Sequence, residues 1–143
     1  MSEKIAVVYW SGTGNTQSMA EAIVKGMQEA GAEVTVMGPG DYDPDVIVGF
    51  DKIAFGCPAM GDEQLEEMDF EPLFQAVENK LSGKKIALFG SYDWNDGQWI
   101  SDWSYRASNK GADLFDDGLA VKAAPDEEAK QNCIQWGKAF AAY

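Results

Sequence analysis

The segment Lys4-Ile5-Ala6-Val7-Val8-Tyr9-Trp10-Ser11-Gly12-Thr13-Gly14-Asn15-Thr16 decides how the chain is to be read. Its first half is an unbroken apolar run, the pattern of a strand buried on both faces of a parallel sheet. Its second half gathers two glycines, three hydroxyls and an amide into six residues. Gly12 and Gly14 permit backbone conformations that other residues resist, so that N–H groups converge; Ser11, Thr13, Thr16 and Asn15 add side-chain donors. A helix follows, with Met19, Ala20, Ile23, Val24 and Met27 at helical spacing and Gly31 as its stop. Its unpaired first amides and positive dipole end face the loop. The segment is therefore expected to hold the phosphate of a mononucleotide. No lysine follows as a Walker A loop requires, and Gln17 stands where a dinucleotide fingerprint places its third glycine. A plain capped turn rarely needs so many polar groups.

Outward from this segment, Glu33–Met37, Lys52–Cys57 and Lys85–Gly90 read as further strands, and Gly118–Lys122 as a brief fifth. Helices are expected over Phe70–Leu81, with Leu73, Phe74 and Val77 on one face, and over about Gly97–Lys110, with Trp99 and Trp103 four apart. A last helix opens at Pro125-Asp126-Glu127-Glu128, its apolar stripe Ala129, Cys133, Trp136 and Phe140. Strand and helix alternate five times, which predicts a doubly wound α/β sheet. No repeat, low-complexity run or linker interrupts the 143 residues, so residues 1–143 are expected to form a single domain. In such sheets ligands bind beyond the carboxyl ends of the strands, which directs attention to the loops beginning near Trp10, Pro58 and Ser91.

Composition sets the outer bounds. Apolar content of 45% and aromatic content of 12% are globular values. No apolar run approaches the roughly 18 residues of a membrane span, and Met1-Ser2-Glu3-Lys4 has no signal-peptide character, so a cytoplasmic protein is expected. Two distant cysteines, Cys57 and Cys133, and the lack of histidine exclude the usual zinc frameworks, a Cys-x-x-Cys redox pair and histidine triads. No metal and no catalytic residue is expected; Cys57, beside the second loop, is read as core. Eleven basic residues against 24 acidic ones give a net charge of −13. Such a chain is repelled by nucleic acid and by anionic membranes and favours partners with a positive patch.

The motif Tyr9-Trp10-Ser11-Gly12-Thr13-Gly14-Asn15-Thr16 resembles the FMN phosphate loop of flavodoxins. Gly56-Cys57-Pro58-Ala59-Met60-Gly61-Asp62-Glu63 resembles the family's loop after strand three, and Gly90-Ser91-Tyr92-Asp93-Trp94-Asn95-Asp96-Gly97 its loop after strand four. The likeness spans essentially the whole chain and is greatest to the short-chain, clostridial type, since Asp113–Pro125 leaves no room for the hairpin that interrupts the fifth strand of long-chain members. It implies a flavodoxin-like five-stranded parallel sheet of order 2-1-3-4-5 with helices on both faces. It also implies a cofactor, FMN, held by Ser11, Gly12, Thr13, Gly14, Asn15, Thr16, Pro58, Ala59, Met60, Gly61, Asp62, Glu63, Ser91, Tyr92, Asp93, Trp94, Asn95, Asp96 and Gly97. By position Met60 and Trp94 flank the isoalloxazine ring, offering it a polarisable and an aromatic surface. The peptide after Gly61 would turn over on uptake of the first electron, its carbonyl accepting from N5–H. The Glu63 carboxylate would accept from N3–H.

The function implied is a low-potential one-electron carrier that shuttles between neutral semiquinone and anionic hydroquinone. From Ile53 to Asn79 there is no basic residue, while Asp62, Glu63, Glu66, Glu67, Asp69, Glu71 and Glu78 are acidic, and Asp93 and Asp96 flank Trp94. Two charges a few ångströms apart at an effective dielectric near 20 interact by about 1–4 kcal/mol, enough to make a second electron costly. The same face would dock redox proteins bearing basic patches, with the carrier as a monomer. Asp93 and Asn95 stand where close relatives often have glycine, and Pro58 where some have serine. An NAD(P)H-dependent quinone or iron reductase and a dedicated activating partner of one enzyme share the fold; a phospho-receiver is excluded by Cys57 and Ser11-Gly12 in place of its aspartates.

Overall fold

A computed structural model describes residues 3–61, 63–94 and 96–143. The apolar runs become parallel strands β1 (Lys4–Tyr9), β2 (Glu33–Met37), β3 (Lys52–Gly56) and β4 (Lys85–Tyr92). Between them lie α1 (Asn15–Glu29), a short α2 (Pro44–Ile47) and α3 (Phe70–Val77); α4 (Gln98–Asn109) follows β4. The chain closes with β5 (Asp113–Leu114), β6 (Leu119–Lys122) and α5 (Glu127–Ala142). The strand order is β2-β1-β3-β4-β5, with β6 also pairing β4, every pair being parallel. This is the order that the sequence resemblance implies.

Strand alternation sorts the core into two layers. Ala6 and Val8 of β1, Ile53 and Phe55 of β3, and Ile86 and Leu88 of β4 face Phe70, Leu73, Phe74, Trp99 and Trp103 of α3 and α4. Ile5, Val7, Ala54, Ala87 and Phe89 face Met19, Ile23 and Met27 of α1 and Cys133, Trp136 and Phe140 of α5. Cys133, Trp136 and Phe140 are three members of the stripe read from the sequence. The α1–α5 contact is a backbone crossing: a Cβ on Gly26 would collide with the Ile134 carbonyl, and one on Gly137 with the Ile23 carbonyl. The second half of α1 is thus held against α5 at a distance that only glycine allows.

Several boundaries differ from the sequence reading. Helix α3 ends at Val77 and passes into a 3-10 turn, Glu78–Lys80, rather than continuing to Leu81. β4 runs two residues past Gly90 because its end gains a partner in β6, Phe89 to Tyr92 pairing Leu119 to Lys122. The fifth position of the sheet is in two pieces, since β5 pairs Lys85 and Ile86. The break at 115–118 is turned by Asp116 (φ 48°) and Gly118 (φ 99°), and it lets the Asp116 carboxylate accept from Gly118 N–H at 2.7 Å and from Trp136 Nε1–H at 2.8 Å. α2 has no counterpart in the sequence reading; Asp43 caps it and Pro44 starts it.

The amino ends of β1, β3 and β4 each begin with a lysine: Lys4, Lys52 and Lys85. Lys52 is buried, its ammonium donating to the Phe140 and Ala141 carbonyls at 3.2 and 2.7 Å, where it caps the end of α5. Lys84 donates to Phe50 O at 3.0 Å and Lys85 to Tyr143 O at 2.7 Å. No helix among the described residues is long and apolar enough to cross a membrane.

Candidate functional site

At the carboxyl ends of the strands the loops after β1, β3 and β4 enclose a cavity of about 230 Å³. Trp10, Ser11, Gly12, Thr13, Asn15 and Thr16 line it from the first loop, Pro58, Ala59, Met60 and Gly61 from the second, and Ser91, Tyr92, Asp93 and Trp94 from the third. Thirteen of the nineteen residues expected at the site from the sequence therefore share one cavity. Gly14 stands behind the first loop, and its φ of 100° as the N-cap of α1 is what turns the loop. Gly97 does the same for α4 at φ 85°. Asp62 and Asn95 lie outside the described residues. Trp10 lines the cavity without having been singled out; its ring lies against Gly12, where a Cβ would stand 3.0 Å from it. An aromatic residue directly before a glycine loop was the signal available for it.

The helix beginnings show what the first loop lacks. Asp43 accepts from Val46 N–H at 3.4 Å and Asp126 from Ala129 N–H at 2.8 Å. Glu66 accepts from Met68, Asp69 and Phe70 N–H at 2.8, 2.7 and 2.9 Å, and Glu63 from Trp99 N–H at 2.8 Å. Helices α2, α5, α3 and α4 thus each begin under a carboxylate. Among the described residues no carboxylate bonds to the first amides of α1, whose first turn holds no acid. Only the Ser11 hydroxyl oxygen stands there, accepting from Gly14 N–H and Gln17 N–H at 3.2 Å each. The donor set is neutral, convergent and without its own anion, which fits a phosphate.

Other members are held by the scaffold. Thr16 and Ser91, both buried, share a hydroxyl contact of 2.9 Å, and Ser91 N–H donates to Thr16 Oγ1 at 3.3 Å, tying the start of α1 to the end of β4. Trp94 is 79% exposed and Met60 half-buried. Met60 begins a tight turn: its carbonyl accepts from Glu63 N–H at 2.9 Å, and its N–H donates to Gln64 O at 3.0 Å. Cys57 is core, as read: burial pushes its thiol up, and its sulfur accepts from Glu66 N–H at 3.4 Å. Burial alone would raise the Glu66 carboxyl, but the backbone N–H donors of Phe70, Asp69 and Met68 outweigh it and hold the group below the usual carboxylate range.

A larger cleft of about 590 Å³ opens at the opposite, amino ends of the strands, lined by Glu3, Asp51, Lys52 and 82–85. Its lysines are engaged with backbone carbonyls, so it presents no set of convergent donors comparable to the first loop.

Known proteins agree with this geometry. The flavodoxin family profile matches residues 7–137. The flavodoxin of Clostridium beijerinckii is 47% identical over 135 residues, covering 94% of this chain and 97% of that one. The flavodoxin of Megasphaera elsdenii is 41% identical over 137 residues, covering 96% and 98%. The solution structure of two-electron reduced Megasphaera elsdenii flavodoxin superposes with a TM-score of 0.87 over 97% of this chain and 99% of that one. A parallel sheet of order 2-1-3-4-5, together with likeness along nearly the full length, places the chain in the flavodoxin family, in its short-chain, clostridial-type branch.

Proposed function

We propose that this chain carries single electrons at low potential on FMN, its phosphate at the start of α1 and its ring between Met60 and Trp94. Flavodoxins are FMN-binding electron-transfer proteins rather than enzymes. The observation that supports the residue assignment best is the start of α1, which among the described residues has no carboxylate where the other four helices have one. In a chain with 24 acidic residues, that gap suits an anion supplied from outside.

FMN, when bound, supplies the one-electron chemistry. The rest is done by the chain. Gly12, Thr13, Asn15 and Thr16 hold the phosphate with neutral donors, so no cation in the first loop offsets the surrounding negative field. Met60 and Trp94 fix the plane of the ring and exclude water from its faces. The turn from Met60 to Glu63 would hold Gly61 at the ring, where its carbonyl could accept a hydrogen bond from the cofactor. In the form seen here Gly61 avoids left-handed φ, and a Cβ on it would meet nothing; the freedom of glycine is then needed only when the peptide turns over. Asp93 and Asp96, both exposed beside Trp94, add negative charge that disfavours a second electron.

The segment leading from the second loop into α3 also carries Met68, which is 80% exposed, between the exposed Glu67 and Asp69. Redox partners with basic patches would meet the carrier here as a monomer, in encounters that slow with added salt. Two free, buried thiols, Cys57 and Cys133, agree with work in a reducing cytoplasm. An anaerobic reductive titration of the FMN-loaded protein, followed by absorbance, tests the reading. A distinct one-electron form should accumulate before the colour bleaches. Direct bleaching would refute the one-electron carrier, and failure to bind FMN would refute the site.

A further inference from the structure

We propose that Glu63 is a positioning residue that fastens the Met60–Glu63 turn to the first turn of α4, so that the two loops flanking the ring keep one spacing. This rests on the FMN reading of the site. The Glu63 carboxylate spans a sequence gap of more than thirty residues: Oε1 accepts from Asp96 N–H at 3.1 Å and Oε2 from Trp99 N–H at 2.8 Å. Those are amides at the beginning of α4, which has no side-chain cap of its own. Trp94 stands two residues before Asp96.

The attachment has a second strut. Trp99 is buried, and its indole Nε1–H donates to the Cys57 carbonyl at 3.0 Å, at the end of β3. One residue of α4 is therefore bound to both ends of the segment from Cys57 to Glu63. Glu63 itself sits at φ 58°, a left-handed conformation that costs a non-glycine residue free energy and persists where surrounding contacts impose it. The contacts imposing it are those two amide bonds and the turn bond from its own N–H to Met60 O at 2.9 Å. A carboxylate has about four lone-pair sites, so two amides leave room for a further donor such as N3–H. Held from the α4 side, the oxygens are aimed before any ligand arrives.

The test uses Glu63→Ala and Glu63→Gln in the full chain, with and without added FMN. Amide hydrogen exchange should quicken at Asp96 and Trp99 by about ten-fold in Glu63→Ala, the scale of a lost helix cap. In Glu63→Gln, which keeps one acceptor oxygen, one of the two amides should stay protected. The losses of FMN affinity from Glu63→Ala and Trp94→Ala should be less than additive, because the first already frees the loop that carries the second. Unchanged exchange at Asp96 and Trp99, faster exchange spread over the whole chain, or additive losses would each overturn the proposal. Failure of the wild-type chain to bind FMN would refute the cofactor reading instead and leave the exchange result as a separate measurement.

Discussion

Giving α1 the carboxylate that its neighbours have should strengthen the protein and disable its site at once. Ser11→Asp is the substitution. The Ser11 hydroxyl already accepts from Gly14 N–H and Gln17 N–H at 3.2 Å each, bonds too long to be strong. A carboxylate in that place gains a charge-assisted bond and the helix dipole, together about 1 kcal/mol. Without FMN the melting temperature should therefore rise by about 2–5 °C for a domain of this size. The same charge would stand about 4 Å from a bound phosphate. At an effective dielectric near 20, two unit charges there repel by about 4 kcal/mol, roughly a thousand-fold in affinity, and a phosphate carries more than one charge. Thermal unfolding without FMN, and quenching of FMN fluorescence on titration, read the two halves separately. FMN binding within about ten-fold of wild type would refute the assignment of the phosphate to the start of α1. A lower melting temperature would refute the idea that this helix lacks an anion.

Trp94→Ala should weaken FMN binding by roughly ten- to a hundred-fold, the scale of one aromatic stacking surface, and leave unfolding within about 0.5 kcal/mol of wild type because the ring is 79% exposed; fluorescence titration and denaturant unfolding check both. Stability should fall in acid. Phe70, Asp69 and Met68 N–H hold Glu66 down against its burial, and hydrogen bonding from Arg106 holds Glu78 down. Groups whose folded pKa is depressed contribute fully above their unfolded value, about 4.3, and lose that contribution as pH falls through the lower folded value. Melting temperature should accordingly be flat from pH 7 to about 5 and drop below it. Glu66→Gln should cost about 1–3 kcal/mol at pH 7, with the gap to wild type narrowing as pH falls.

The fold was legible because its punctuation is local. Gly31, Gly38 to Asp41 and the lysines that open β1, β3 and β4 mark where elements stop and start, and those runs are continuous because both faces of the sheet are covered. The three loops around the cavity were legible for a related reason: β3 ends in Gly56, Gly12 stands just after β1, and Gly90 stands two residues before the end of β4. Less could be seen where tertiary contacts decide. The split of the fifth strand answers to Trp136, whose indole needs the Asp116 carboxylate that the break supplies. The extension of β4 depends on β6 lying beside it. The place of Glu63 at the ring is implied by the family resemblance; its link to α4 was not legible, because it crosses to a segment that no local pattern connects with it. The helix caps were partly visible, since Asp43 and Asp126 precede their helices directly, but the contrast with α1 emerges only once all five beginnings are compared.

The lysines that open β1, β3 and β4 have a consequence for the molecule as a whole. Parallel strands put all their amino ends on one side, so Lys4, Lys52 and Lys85 are gathered opposite the cavity, where Asp93 and Asp96 lie. Glu3 and Asp51 offset part of that charge, Lys52 Nζ standing 3.5 Å from Glu3. The three loops around the cavity, however, hold no lysine or arginine at all, so charge is still graded along the strand axis and an anion of net charge −13 acquires a permanent electric dipole. Net charge alone pulls a cationic protein closer without regard to which side meets it. A dipole exerts torque, turning the cavity edge toward the cation within the last Debye length or so, about 8 Å at physiological salt. Rotation is thus settled before contact, and the edge beside the exposed Trp94, where the ring is proposed to lie, needs less two-dimensional searching across the surface to come within reach of another redox centre.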